Sequence, residues 1–143
     1  MMRVSEIMTT KLITLEPLES LKTARMTMAG SRIRHLPIVT GDRMFVGLLS
    51  QRDILTASIS KFADLDPEVR DQIESGIPIA EVMTSEVVTV SPKTPLPQAG
   101  KLLLQHKFGC LPVLEGGRLQ GILTEADFIK LALRLLVNKK SSP

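Results

Sequence analysis

Two short segments of this sequence carry side chains that could bind a sugar or an anion. One runs from Gly47 to Asp53 and the other from Gly121 to Asp127, and both follow one pattern: Gly, two aliphatic residues, Ser or Thr, two variable residues and Asp. A hydroxyl residue followed three positions later by a carboxylate is typical of a helix start, where such side chains cap free backbone amides. A carboxylate at this place can also accept hydrogen bonds from a sugar diol, and the helix dipole favours an anion.

Ser50 and Asp53 form one such pair, and Thr124 and Asp127 form the other. Two interpretations remain open from the pattern alone, because residues at this spacing often do no more than start a helix. Two matching copies in one short chain favour a second role in binding. Asp53 and Asp127 would then accept hydrogen bonds from a ligand, while Ser50 and Thr124 add a hydroxyl group at each cap.

The two segments belong to a longer internal repeat. Val4–Thr9 corresponds to Ile79–Thr84, and Leu36–Val39 corresponds to Leu111–Leu114 at the same spacing along the chain. After that point the spacing between corresponding residues shortens by one. A turn tolerates such a change best, so we expect one residue to have been gained in Asp42–Val46 or lost in Gly117–Gln120.

Each repeat predicts the order strand, helix, two strands and helix. In the first repeat the apolar and β-branched Leu12–Leu15 predicts a strand, and Ser20 caps the helix that follows. The turn composition of Thr40–Arg43 between two apolar runs predicts an antiparallel hairpin. Between the repeats, Asp66–Gly76 begins with an N-cap residue and a proline and ends with a glycine, which predicts a connecting helix.

The composition favours a soluble globular protein in a reducing, cytoplasmic environment. Of the 143 residues 43% are hydrophobic, but no apolar run is long enough to span a bilayer, and the N-terminus lacks the apolar core of a secretory signal. The single cysteine, Cys110, excludes an internal disulfide, and the two histidines have no metal-ligand spacing, so no metal site is expected. Acidic and basic residues are interspersed, and Trp and Tyr are absent, so a nucleic-acid partner is not expected.

Taken together, these motifs resemble a tandem pair of CBS domains, also called a Bateman module, of the stand-alone bacterial or archaeal type. The resemblance rests on two Met-Thr openings, two Leu-Pro strands and the two Gly-to-Asp segments. It implies an α/β (α+β) fold of two β-α-β-β-α repeats related by a pseudo-twofold axis. The repeats are expected at residues 1–56 and 79–137, with a helical linker at 57–78 and a polar tail at 138–143.

The resemblance also implies a site for an adenosine-containing ligand. Its ribose and phosphate are expected at Ser50, Asp53, Thr124 and Asp127. Its base is expected on apolar residues at four positions, two in each repeat: Ile13, Ile33, Val88 and Phe108. In the family each cleft combines the base-side strands of one repeat with the Asp of the other.

The two repeats differ where the phosphates are expected. Arg34 and His35 precede the Leu-Pro strand of the first repeat and match positions where relatives place basic phosphate contacts, whereas Gly109 and Cys110 are neutral. We therefore expect tighter binding of a charged nucleotide at the site that Arg34 and His35 reach. The alternative is that both side chains are solvated surface charges, since one site of the pair is often empty in this family.

We expect a regulatory module that senses AMP, ADP, ATP or S-adenosylmethionine and requires no cofactor. No nucleophile elbow, P-loop or dinucleotide-binding fingerprint occurs, so enzyme activity is not expected. The last helix, from Glu125 to about Val137, has more leucines than one face requires, which favours a homodimer or an unidentified protein partner. The alternative is a dimerisation or docking scaffold whose clefts are vestigial.

Overall fold

The chain forms two compact units in a computed structural model that describes residues 1–62, 64–106 and 109–141. The central unit is Ile13–Val87, and the terminal unit joins Met1–Leu12 to Val88–Pro143. Each unit thus contains the opening segment of one repeat together with the helices and hairpin of the other. The repeat boundaries expected from the sequence remain a prediction, because the units divide the chain at other positions.

The central unit contains one hairpin and a set of helices. Its elements are α1 (Leu21–Ser31), β1 (His35–Thr40), β2 (Met44–Ser50), α2 (Gln51–Phe62), α3 (Pro67–Ser75) and the 3-10 helix Ile79–Glu81. The predicted cap of α1 is confirmed, because Ser20 Oγ accepts a hydrogen bond of 3.1 Å from Thr23 N. The side chains buried in this unit are Leu21, Ala24, Met28, Leu36, Ile38, Leu49, Ile54 and Ile79.

The terminal unit repeats this arrangement, and its described residues contain no counterpart of α3. Its elements are the 3-10 helix Val4–Glu6, α4 (Leu96–His106), β3 (Cys110–Glu115), β4 (Arg118–Thr124) and α5 (Glu125–Ser141). Its buried core is made of Val4, Val90, Leu96, Ala99, Leu103, Leu111, Val113 and Leu123. The mixed α/β class predicted from the sequence is confirmed.

The two hairpins have the same register. His35 pairs with Ser50 in the first hairpin and Cys110 with Thr124 in the second, and the register shifts at Ile38/Val39 and at Val113/Leu114 respectively. The turn between the strands has three residues in the first hairpin, at 41–43, and two in the second, at 116–117. This difference accounts for the residue by which the spacing of the repeat shortens.

The strand predicted at Leu12–Leu15 is wrong in extent, because only Leu15 pairs, in a parallel bridge with Ile38. Leu15 N donates to Pro37 O at 3.3 Å and Val39 N donates to Leu15 O at 3.0 Å. A longer parallel ladder would need a backbone N–H donor at Pro37 in one direction and at Pro17 in the other. Proline has no backbone N–H, so the ladder ends after one bridge. The second repeat has the same single bridge, between Val90 and Val113.

The connecting helix α3 is attached to α1 by charged side chains. The Arg25 guanidinium lies 2.6 Å from Asp71 Oδ1 and 2.8 Å from Glu74 Oε2, and Glu74 is fully buried. The hydrogen bond to Glu74 raises the pKa of Arg25. Val69 and Ile73 of α3 remain about 40% exposed. The ion pairs from Asp71 and Glu74 thus join α3 to α1, while Val69 and Ile73 are only partly covered.

The opening segment of each repeat approaches a glycine of a hairpin. An added Cβ at Gly121 would lie 2.7 Å from Thr9 O, and one at Gly47 would lie 2.7 Å from Met83 Sδ.

Within the described ranges, no helix has both the length and the apolar character needed to cross a membrane.

Replacement of Gly121 should therefore destabilise the fold. We expect Gly121→Ala to lower the free energy of unfolding by about 1–3 kcal/mol, because a backbone carbonyl must move to admit the methyl group. Urea unfolding measures this change. Gly30→Ala is the control, since nothing lies within 4 Å of its added Cβ inside α1, and it should be neutral or stabilising. Equal stability of the Gly121→Ala and wild-type proteins would contradict the close approach.

Candidate functional site

The Ser50–Asp53 pair forms a complete capping box at the start of α2. Ser50 N donates to Asp53 Oδ2 at 2.9 Å, and Asp53 N donates to Ser50 Oγ at 3.0 Å. Asp therefore performs the role that Glu or Gln usually has in such a box. The other carboxylate oxygen, Asp53 Oδ1, accepts no hydrogen bond from the described residues, and Asp53 is half-buried. One acceptor oxygen thus remains available to a ligand.

Arg34 and His35 lie beside this helix start. His35 is paired with Ser50 across the hairpin, and Gln51 N donates to Arg34 O at 2.8 Å. The Arg34 side chain is exposed and His35 is half-buried. The structure therefore brings four of the predicted site residues, Arg34, His35, Ser50 and Asp53, to one end of one hairpin.

The imidazole of His35 is held toward its neutral form. Burial lowers the pKa of His35 below its usual 6.5, the charge of Asp53 opposes that shift, and the charge of Arg34 adds to it. At neutral pH His35 therefore offers one N–H donor and one acceptor nitrogen. Arg34, together with Arg52 in the first turn of α2, carries permanent positive charge near this helix start.

Asp127 has more protein partners than Asp53. Its Oδ2 accepts from Thr124 N at 2.9 Å and from Thr124 Oγ1 at 3.2 Å, and its Oδ1 accepts from Thr9 Oγ1 at 2.9 Å. Asp127 is only 6% exposed. A ligand diol at Asp127 must share an oxygen with these donors or displace Thr9.

Thr9 and Thr84 occupy corresponding places, but only Thr9 binds the carboxylate. Both pair through their backbones with the second strand of a hairpin: Thr9 N donates to Ile122 O at 2.8 Å, and Thr84 N donates to Leu48 O at 2.9 Å. The Thr84 side chain is exposed and makes no hydrogen bond to Asp53. The two helix starts therefore differ in how far their carboxylates are already satisfied.

A family model for the CBS domain matches residues 4–60 and 79–134, which is most of the chain. The chain belongs to the CBS domain family. The predicted tandem pair is thereby confirmed, and both Gly-to-Asp segments lie inside the matched ranges.

Two solved structures resemble all or nearly all of the chain. The Vibrio cholerae protein AcuB, provisionally assigned to acetoin utilization, is 34% identical, covers 100% of this chain and 99% of its own, and has a TM-score of 0.83. CBSX2, a CBS-pair protein of Arabidopsis thaliana solved in complex with AMP, is 28% identical over 93% of this chain and 97% of its own, with a TM-score of 0.79.

Curated relatives include longer proteins. An uncharacterised protein of Methanocaldococcus jannaschii is 30% identical over 90% of this chain, and the inosine-5'-monophosphate dehydrogenase of Staphylococcus saprophyticus is 37% identical over 82%. The chain spans 42% of the length of the first and 22% of the second.

The repeats place their expected base-binding residues unequally. Ile13 is 40% exposed, while Ile33 and Val88 are half-buried and pack against the cores of their units. Phe108 lies outside the described residues. The role of these four positions stays a prediction.

Cys110 takes the place in the second CBS repeat that His35 has in the first. It is fully buried and is paired with Thr124 across the hairpin. Burial raises the pKa of the Cys110 thiol to about 12, and the charge of Asp127 adds to the shift. The thiol therefore stays protonated at neutral pH and contributes no charge at this helix start.

Sequence reasoning missed three side chains near Asp127. The Met-Thr opening was recognised as a repeat signature, but the hydrogen bond from Thr9 joins residues 118 positions apart and has no local pattern. Lys130 and Arg134 line a cavity with Asp127, and their spacing of three and seven residues along α5 is the signal that could have found them. Within the described part of the chain, no three His, Cys, Asp or Glu side chains are grouped as metal ligands.

The lowered pKa of His35 makes stability depend on pH. The unfolded chain binds a proton at about pH 6.5, and the folded chain binds it only at lower pH, so stability falls as the pH drops below 6.5. We expect the free energy of unfolding of His35→Gln to fall less at acid pH than that of the wild type. The control, His106→Gln, should show the same fall as the wild type. Urea unfolding between pH 5 and 8 measures the difference; parallel pH profiles for wild type and His35→Gln would contradict a desolvated imidazole.

Proposed function

We propose that this protein is a regulatory module that binds an adenosine-containing ligand, with an adenine nucleotide favoured over S-adenosylmethionine. One observation carries the proposal: a free carboxylate oxygen, Asp53 Oδ1, lies at the same helix start as Arg34 and His35. A nucleotide presents a ribose diol next to phosphate oxygens, and this helix start offers an acceptor beside a cation.

The ribose is proposed to donate to Asp53. A carboxylate has room for about four hydrogen bonds, and the capping box uses one oxygen for Ser50 N. The Ser50 hydroxyl accepts from Asp53 N and still has its own proton to donate. Both groups are fixed by the cap before a ligand arrives, so little side-chain entropy is lost on binding.

The phosphate is proposed to face Arg34. Its guanidinium is exposed and presents several N–H donors suited to phosphate oxygens. His35, neutral at pH 7, donates one hydrogen bond and becomes a second cation when a phosphate stabilises its protonated form. The free amides at the start of α2 add a favourable dipole.

The comparisons support the class of ligand. CBSX2 is solved with AMP, and its likeness spans nearly the whole of both chains. The proposal for this chain rests on its own residues at the start of α2. The candidate ligands are AMP, ADP, ATP and S-adenosylmethionine. Thr124 and Asp127 form the second proposed site, of lower affinity because Thr9 already occupies the carboxylate.

Calorimetry with AMP tests the site at α2. We expect Asp53→Asn to weaken binding about tenfold or more, because the amide keeps one acceptor for Ser50 N but replaces the other with a donor. Arg34→Asn should weaken AMP but leave adenosine unchanged. Arg32→Asn is the matched control, since it removes one exposed arginine two residues away, where the left-handed backbone tolerates Asn.

Two results would overturn the proposal. Ligand-free protein that releases no heat with any of the four candidates would refute adenosine binding. Equal losses in Arg34→Asn and Arg32→Asn would reduce the phosphate contact to a general surface-charge effect.

A second function, assembly, is favoured by the apolar side chains of α5 and α4. Leu133, Leu135, Leu136 and Val137 are 57–62% exposed, and Leu104 is 80% exposed beside a cavity of about 490 Å³ between the two helices. Several large apolar side chains exposed on the same two helices favour a contact surface. We propose that a second copy of the chain covers them, and that ligand occupancy acts through this contact by binding one arrangement of the dimer more tightly.

Leu133→Glu and Leu136→Glu should therefore weaken the dimer, because each buries a charge in the contact. Sedimentation equilibrium measures the association, with an expected loss of about tenfold or more per substitution. Leu18→Glu, which changes an 87% exposed leucine of the central unit, is the control. A wild-type protein that sediments as a monomer at all concentrations would contradict self-association.

A further inference from the structure

A groove of about 200 Å³ lies in the central unit, lined by residues of α1, α2 and α3. Met28 of α1 and Ile54 and Leu55 of α2 contribute to its apolar walls. Two arginines also line it, Arg25 of α1 and Arg70 of α3. The groove thus combines apolar walls with permanent positive charge.

The second CBS repeat has a groove at the corresponding place, between α4 and α5. Most lining positions of the first groove have counterparts that line the second, including Arg25 and Gly100, Met28 and Leu103, and Ile54 and Phe128. Among the described residues that line the second groove, none belongs to a helix equivalent to α3. Within the described chain, the groove with an additional helix at its edge is therefore the one that has an arginine in place of a glycine.

The additional helix is joined to this groove through two acids. Arg25 Nη2 lies 2.6 Å from Asp71 Oδ1, and Arg25 Nε lies 2.8 Å from Glu74 Oε2. Asp71 and Glu74 are three positions apart, which puts both carboxylates on one face of α3. Charge complementarity at this groove therefore favours a helix with an acidic face.

Helix α3 is an incomplete occupant of this site. Glu74 is fully buried, yet its Oε1 accepts no hydrogen bond from the described residues, and a buried acceptor left unpaired is costly. The Asp66 side chain makes no capping hydrogen bond, and a helix of nine residues has little stability of its own. Val69 and Ile73 remain 41% and 39% exposed. The helix thus leaves part of the groove and part of its own apolar surface uncovered.

We propose that the groove between α1 and α2 docks an acidic amphipathic helix of a partner protein, and that α3 covers the site in cis until such a helix displaces it. A partner helix with carboxylates three positions apart keeps the ion pairs to Arg25, and larger apolar side chains fill the space that α3 leaves open. A second copy of the chain fits less well, because a twofold contact through this groove brings Arg25 and Arg70 toward the same arginines of the other copy.

This inference goes beyond the proposed function and does not depend on the adenosine site. Because α3 is tethered next to the groove, it competes with a partner at high effective concentration. A partner binds only the fraction of molecules in which α3 has left the groove, so its apparent affinity is lowered by that fraction. Weakening the two ion pairs of α3 should therefore strengthen the binding of a helix from another molecule.

The test is an NMR titration of the full-length protein with a synthetic peptide of residues 64–77, which carries the α3 sequence. Asp71→Asn/Glu74→Gln protein should bind the peptide at least about fivefold more tightly than the wild type, because its own α3 has lost both charged partners of Arg25. The shifts should fall on the amides of α1 and α2 that line the groove. A peptide with the same two substitutions should bind this protein at least about fivefold more weakly, and adding Arg25→Gln to the protein should remove the difference between the peptides.

Two further variants serve as controls. Asp64→Asn/Glu86→Gln removes two exposed acids of the same unit that form no ion pair among the described residues, and its affinity for the peptide should equal that of the wild type. Asp71→Asn alone changes a side chain that is 43% exposed. It leaves the buried Glu74 in place and should act in the same direction as the double variant, with a smaller effect.

No saturable response of α1 and α2 in the Asp71→Asn/Glu74→Gln protein, or equal binding of the acidic and the neutral peptide, would overturn the inference. Self-association of that protein in place of peptide binding would assign the groove to a second copy and overturn the partner assignment. AMP binding is measured on the same samples. Peptide binding without AMP binding would refute the proposed function alone, and AMP binding without a peptide response would refute the docking groove alone.

Discussion

The close pairing of each repeat's opening segment with a hairpin strand is the constraint on which the rest of the structure depends. Thr9 and Ile122 exchange two backbone hydrogen bonds, of 2.8 and 3.0 Å, and Thr84 and Leu48 exchange two of 2.9 Å. This approach requires a residue without a side chain at Gly121 and at Gly47. Since the same strands lead directly into α2 and α5, the pairing also decides what lies next to the two capping carboxylates.

The two carboxylates have become unequal through small differences around one common backbone. Asp127 receives the hydroxyl group of Thr9, while Asp53 keeps an oxygen free and has Arg34 and His35 beside it. Cys110, with a protonated thiol, replaces a titratable imidazole at the same point of the second hairpin. The two repeats thus share one backbone arrangement but differ in the charges and hydrogen bonds around their carboxylates.

Much of the local structure could be predicted from the sequence, because repeats, hairpins and caps depend on neighbouring residues. Ser20, the turn at 41–43 and the pairs that begin α2 and α5 all have short-range signatures. The strand before each first helix was overestimated, since apolar β-branched residues suggest a strand whether or not partners can donate to it. The prolines at positions 17 and 37 were visible, but their effect appears only when the paired strand is known.

The site was predictable only in part for a similar reason. Asp53, Arg34 and His35 are close in space because a hairpin joins them, and hairpins are local. The bond from Thr9 to Asp127 joins residues 118 positions apart, and Lys130 and Arg134 are interspersed with the surplus leucines of α5. Contacts between segments far apart in the chain leave no regular spacing pattern in a single sequence, so they could not be predicted from it.

The division of the chain into a contiguous unit and a discontinuous one has a consequence for the order of folding. The central unit uses one uninterrupted stretch, Ile13–Val87, so its contacts can form as soon as that stretch has left the ribosome. The terminal unit must wait for its last helix, because its first twelve residues pair with a strand and a carboxylate made more than a hundred residues later. Such long-range closure is slow. Until it occurs, the nascent chain contains a folded central unit and an N-terminal segment that is not yet paired with its partner strand.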